Sequence, residues 1–300
     1  MNIKSTNDIF SKITPLMLVE ARYKIMLPNI IKSYKNDLIS SEDIESFVLK
    51  EFKASDNIKK LSGGRVSNVY RINQDAQYKV VKFSTGLYRM TELKREAQIL
   101  GYLINSGYRH IIPYISNFKT SNNFAYIVED YIEGISVREK LRENISTKER
   151  LEIWECVGKT LSEIHKLYQG EDPDNEWLNG QLEIARLNME NDLLDYEEFK
   201  EESPERTLSW LILNKPVIRQ TSLLHGDFRT KNIIINDKGC YKIIDWGFVD
   251  IGDPFYDLAI IDYYFRDNLD RESFYRAYNE NQYNKDLIEY YDKLSKFVNI

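Results

Sequence analysis

The spacing of apolar residues changes period along this chain, and that change limits the elements it can form. Through residues 58–131 apolar and polar side chains alternate in short runs: LSGGRVSNVYRI, then YKVVKF, then segments at 111–118 and 124–131. A period of two, with β-branched and aromatic residues, marks strands, because successive side chains point to opposite faces. One stretch departs from it. In TELKREAQILGYLI, Leu93, Ala97, Leu100 and Leu103 recur at helical spacing. After Gly134 helical spacing dominates: Ser146-Thr147-Lys148-Glu149 is a capping-box start for a helix reaching about His165. Only two short apolar runs there, at 233–235 and 241–244, read as strands.

Strands carrying one helix, followed by helices, predict an α+β chain. Its N-terminal antiparallel sheet lobe would hold one key helix, its C-terminal lobe would be helix-rich, and a ligand would lie between them. The expected divisions are a helical extension at 1–56, a sheet lobe at 57–132 and a helical lobe at 133–300. An acidic helical insert is expected at 171–222. Within the extension a capped helix should run from Ser40 to about Phe52, after a break at Pro28.

Composition removes several classes of function. With 47 acidic and 41 basic residues the net charge is −6, which disfavours a general nucleic-acid binder. Two cysteines, Cys156 and Cys240, are too few for a disulfide framework and fit a reducing compartment. No apolar run approaches the roughly 18 residues of a membrane span, and the N-terminus lacks a secretory pattern. A cytoplasmic protein without a membrane partner is expected. The charge is uneven: residues 171–205 hold thirteen carboxylates against Arg186 and Lys200, a net of −11, and the remainder is +5. Such a segment would attract a cationic ligand, although a solvated helix face has the same composition.

The densest signal is LLHGDFRTKNIIINDKGCYKIIDWG. Asp227 and Asn232 stand at D-x4-N spacing, and Asp245 follows across the two short strands. Phosphoryl transfer needs this set: one carboxylate to take the proton of an attacking hydroxyl, and an amide and a second carboxylate to hold magnesium on nucleotide phosphates. Through these residues, with Gly252-Asp253-Pro254, Asp257-Leu258-Ala259 and the LSEIH ending at His165, the chain resembles the aminoglycoside phosphotransferase and choline kinase superfamily, over about 61–259. The resemblance implies a bilobal protein-kinase-like fold and a kinase acting on a small molecule. It implies Asp227 as catalytic base and Asn232 and Asp245 as Mg2+ ligands. It also implies a phosphate loop of Ser62, Gly63, Gly64, Ser67 and Asn68, in a G-G-x-x-N form that departs from G-x-G-x-x-G.

Lys82 in V-V-K would reach the α- and β-phosphates, paired with Glu96 rather than Glu92 or Glu133. Backbone groups of Asp130 and Ile132 would meet the base of ATP or GTP. His225 is expected to support the loop's backbone, His165 to end a helix beside that loop, and Asp253 and Asp257 to brace the segment after Asp245. Acceptor contacts are sought at Asp262, Asp267, Asp270, Tyr263 and Tyr264. The acceptor implied first is an aminoglycoside-type cation. A choline, ethanolamine or sugar kinase is the nearest alternative, and a catalytically silent nucleotide binder the one from another class. Trp246 in place of the Phe of D-F-G, and no A-P-E after it, disfavour a protein kinase.

Overall fold

The computed structural model describes residues 41–52, 58–61, 68–74, 76–236, 239, 241–279 and 283–298. They form two compact units. The first holds the described residues up to Glu133 together with Lys242–Phe248, and the second the rest.

In the first unit, helix α1 (Ser41–Glu51) precedes β1 (Lys59–Lys60), β2 (Asn68–Gln74) and β3 (Gln77–Thr85). Helix α2 (Leu87–Asn105), β4 (Ile115–Thr120) and β5 (Phe124–Asp130) follow. The strands make one antiparallel sheet in the order β1-β2-β3-β5-β4. Alternation gives it two buried faces. Tyr70, Ile72, Val81, Phe83, Tyr126 and Val128 form one core with Ile44 and Val48 of α1, and Phe47 and Phe52 close its edge. On the other side α2 packs on β3, β4 and β5. Its buried Leu93, Ala97, Leu100 and Leu103 are those with helical spacing.

The described part of the N-terminal extension therefore covers the sheet, and its helix has almost the expected bounds. Deleting buried methyls from a packed core removes transfer energy and leaves a cavity. Ile44→Ala should accordingly lower unfolding free energy by about 2–4 kcal/mol, measured by urea denaturation.

The strand expected at 111–118 starts late, at Ile115. Pro113 has no N–H to give a ladder, and the backbone before it is bound elsewhere. The Arg109 and Ile112 carbonyls accept from Lys242 Nζ, and the Ile111 carbonyl accepts from the Ile243 N–H at 2.7 Å.

In the second unit, β6 (Ile135–Ser136) leads into α3 (Val137–Lys140), capped reciprocally by Ser136 and Glu139. Helix α4 (Thr147–Lys166) is capped by Ser146, as its sequence indicated. Then come β7 (Gln169–Gly170), α5 (Glu176–Glu190), α6 (Pro204–Leu213), β8 (Thr221–Leu224) and β9 (Ile233–Ile235). Strand β10 (Tyr241–Ile243) runs over the boundary between units. The unit ends with β11 (Asp250–Gly252), α7 (Phe255–Asp262), α8 (Asn268–Asn279) and α9 (Lys285–Val298). Strands β7, β8 and β11 form an antiparallel sheet with β8 central, and β6 pairs with β9. Helices α4 and α8 pack closely at Gly158, where a Cβ would run into the Phe274 carbonyl.

The acidic segment is folded onto this unit. Helix α5 buries Trp177, Leu178, Ile184 and Ala185 and packs on α9. Part of its charge has structural work: Asp172 accepts the Glu176 and Trp177 N–H groups at the start of α5, and Glu183 and Glu190 pair with Arg186.

Candidate active site

Lys82 lies in β3 on the face turned to α2, and its ammonium is buried. It is ion-paired with Glu96 of α2, the expected partner, and also lies 3.2 Å from Glu129 of β5. Burial works against the charge on Lys82, but Glu129, Glu96 and Asp245 together outweigh it and hold the lysine protonated above its ordinary pKa. The same burial raises both glutamates. Glu96 also accepts the Trp246 N–H at 3.1 Å, tying Lys82 to the residue after Asp245. Asp245 has φ 69°, a left-handed conformation that disfavours residues with a side chain; aspartate is among those that tolerate it.

Sequence reasoning missed Glu129. The signal was present: Glu129 is two residues from Ile127, which pairs with Lys82 across the ladder, so both carboxyl and ammonium share a sheet face. Its Oε2 is buried and has no hydrogen-bond partner among the described residues.

At the end of β5, Asp130 donates its N–H to the Tyr114 carbonyl at 2.9 Å and accepts Lys79 on its carboxylate at 2.6 Å. Tyr131 donates to the Tyr78 carbonyl, and Ile132 is half-buried. Asn68 opens β2 opposite Phe83. Ser62, Gly63, Gly64 and Ser67 lie outside the described residues, as does Cys240.

The second unit presents the other cluster, on the loop between β8 and β9. Asp227 is almost buried. Its Oδ2 and its carbonyl each accept the Asn232 side-chain N–H2 at 2.9 Å, and Oδ1 lies 2.6 Å from Arg229 Nε. Lys231 Nζ is 3.5 Å from Oδ2. Burial opposes the charge on Arg229, but Asp227 more than restores it. With its nitrogen engaged, Asn232 leaves Oδ1, a hard oxygen, for a cation. A carboxylate, as on Asp245 in the first unit, and an amide oxygen, as on Asn232 in the second, are each donor types that magnesium takes.

Asp257, fully buried on α7, pins the same loop. It accepts the His225 N–H at 2.7 Å and the Gly226 N–H at 2.9 Å. His165 Nε2 lies 3.2 Å from it, so that nitrogen carries the hydrogen, and Nδ1 faces the Tyr278 hydroxyl at 2.7 Å. His225 accepts the Asp227 N–H, and Gly226 supplies the positive φ of 80° that the turn requires. His225 thus supports the loop and His165 stands in the last turn of α4 beside it, both as expected, and His165 also contacts Asp257. Asp257 was expected to brace the segment after Asp245, and instead holds the loop that carries Asp227. Asp253 accepts the Phe255 N–H and the Tyr291 hydroxyl, with burial pushing it up to about 6.

Three residues sought as acceptor contacts already have partners within the chain. Asp270 is fully buried against Arg150, Asp267 pairs with the same arginine, and Asp262 pairs with Arg271. Intramolecular cations already hold these carboxylates. Of the two tyrosines, Tyr263 is exposed and Tyr264 half-buried.

A five-stranded antiparallel sheet with one packed helix, a lysine–glutamate pair, and a helix-rich unit carrying an Asp–Asn loop together make up the protein-kinase-like fold of small-molecule kinases. The chain belongs to the phosphotransferase enzyme family (APH), whose model matches residues 57–295, and it is a kinase-type phosphotransferase. It is 25% identical over 177 residues to an aminoglycoside 3'-phosphotransferase of Niallia circulans, covering 56% of this chain and 67% of that one. Among solved structures it resembles an aminoglycoside-3'-phosphotransferase of type VIII, with TM-score 0.64, 20% identity and coverage of 80% of this chain and 93% of that one. It also resembles the choline kinase of Streptococcus pneumoniae, with TM-score 0.59, 18% identity and coverage of 86% and 87%.

Proposed function

We propose that this phosphotransferase moves the γ-phosphoryl group of ATP or GTP to a hydroxyl of a small cationic molecule of the aminoglycoside type. The observation that carries this reading is the setting of Asp227, a carboxylate held in place by Asn232 and Arg229 on a loop pinned by Asp257. Asp227 orients the acceptor hydroxyl and takes its proton as the new O–P bond forms and the bond from the γ-phosphorus to its bridging oxygen breaks, releasing the nucleoside diphosphate. Arg229 and Lys231 offset the repulsion between this carboxylate and an arriving phosphate.

Lys82, oriented by Glu96, takes the α- and β-phosphates, and Ser62, Gly63, Gly64, Ser67 and Asn68 offer backbone and side-chain donors to the remaining oxygens. The backbone of Asp130 and Ile132 meets the base. Asn232 and Asp245 would hold Mg2+, which when bound neutralises phosphate charge. The acidic segment at 171–205, with its net charge of −11, supports a cationic acceptor. The cytoplasm, where nucleoside triphosphates are abundant, suits such an enzyme.

The test is incubation with Mg2+, ATP or GTP and a panel of aminoglycosides, choline, ethanolamine and sugars, read by mass spectrometry for addition of one phosphoryl group. Product from an aminoglycoside alone is expected. Product only from choline or ethanolamine would move the assignment to a metabolic kinase, and no product from any acceptor would favour a silent nucleotide binder.

A further inference from the structure

One buried group in the first unit has no role in the scheme above: the second carboxylate oxygen of Glu129. A buried polar atom without a partner costs free energy, of order 1–3 kcal/mol for an unmet hydrogen bond, and its retention calls for a partner such as a water, an ion or a ligand. Glu129 is 3% exposed. Its Oε1 faces Lys82 at 3.2 Å, and its Oε2 is unpartnered among the described residues.

Its place in the sheet identifies that partner. Lys82, on the same face, marks the phosphate end of a bound nucleotide. Asp130, the next residue, marks the base end, and its carboxylate is already taken by Lys79. Val80 lies directly across the ladder from Glu129 and supplies an apolar surface on the same face. A purine whose edge reaches the Asp130 backbone therefore brings its C6 substituent to the neighbouring side chain. Adenine carries an amino group with two hydrogens there, whereas guanine and hypoxanthine carry a carbonyl oxygen. With Oε1 occupied by Lys82, Glu129 has one oxygen to offer, which suits one N–H and opposes a carbonyl.

Resting on the nucleotide-dependent reading above, we propose that Glu129 is a base-selecting residue: its Oε2 accepts a hydrogen from the 6-amino group of adenine and makes this protein an ATP-preferring enzyme. The alternative role, holding Lys82 alone, affects only the phosphates and so treats every purine triphosphate alike.

That difference gives the experiment, which needs no acceptor. Dissociation constants for ATP, ITP and GTP are measured by titration calorimetry with the full chain and Mg2+ at about pH 8, an alkaline pH chosen because burial raises the Glu129 carboxyl above the ordinary range. The native protein should bind ATP at least about tenfold more tightly than ITP, as a site built around one donor rejects its isostere. Glu129→Met should bring that ratio close to one, mainly by weakening ATP. Glu129→Gln, nearly isosteric, should narrow it by strengthening ITP, because the new amide can donate to the carbonyl. Equal native affinities, a preference for GTP or ITP, or an ATP-to-ITP ratio unchanged in both variants would overturn the proposal. Failure to bind any nucleotide would instead refute the nucleotide-dependent reading on which it stands, and the proposal with it.

Discussion

Asp227→Asn should lower kcat by about a thousandfold while the dissociation constant for nucleotide stays within about threefold. Asparagine keeps the shape of the side chain and can still accept from Asn232, but it cannot take a proton, and general-base catalysis is worth about 10²–10⁴ in rate. Single-turnover rates and nucleotide titrations on the same preparation separate the two quantities. A kcat within tenfold of the native value would remove Asp227 from the chemistry. The variant loses the charge that pairs with Arg229 and Lys231, so any change in affinity should favour the anionic nucleotide.

Asp257→Ala should cost about 3–5 kcal/mol of unfolding free energy, the larger stability effect expected in the second unit. Its carboxylate accepts from the His225 and Gly226 backbone and faces His165, all of them buried. Without it three donors lose their acceptor in a dry interior, each carrying a penalty of about 1–3 kcal/mol that neighbours share rather than add. Asp257→Asn should recover part of this, since the amide oxygen can still take one backbone hydrogen. Urea midpoints for the two variants test the order. An alanine variant as stable as the native protein would mean that the loop is held by other contacts.

Much of the architecture was visible in linear form because alternation and helical spacing are local properties. The strands from β2 to β5 and the buried stripe of α2 follow from side-chain periods alone, and β-branched residues reinforce them. Lys82 with Glu96, and Asp227 with Asn232, could be singled out because they stand in short ordered motifs, and the structure brings each pair into contact. What escaped notice depends on contacts between distant segments. Glu129 sits in a strand where a carboxylate looks like the solvated half of an alternating pattern, and only the pairing of β3 with β5 puts it on Lys82. Asp262, Asp267 and Asp270 looked available because Arg150, remote in sequence, and Arg271 could not be matched to them in advance. Proline and three bound carbonyls delayed β4, which no propensity scale registers.

The sheet of the first unit raises a practical point about where this chain can be cut. The family match begins at residue 57, so a fragment designed on that boundary would lack α1. Tyr70, Ile72, Val81, Phe83, Tyr126 and Val128 would then form a bare apolar sheet surface facing water. Surfaces of that kind drive self-association. A fragment starting at 57 is therefore expected to accumulate in inclusion bodies, and one retaining residues from about 40 onward to stay in solution. The unit expected to stay soluble is thus longer than the stretch that the family match covers, and the difference includes one amphipathic helix.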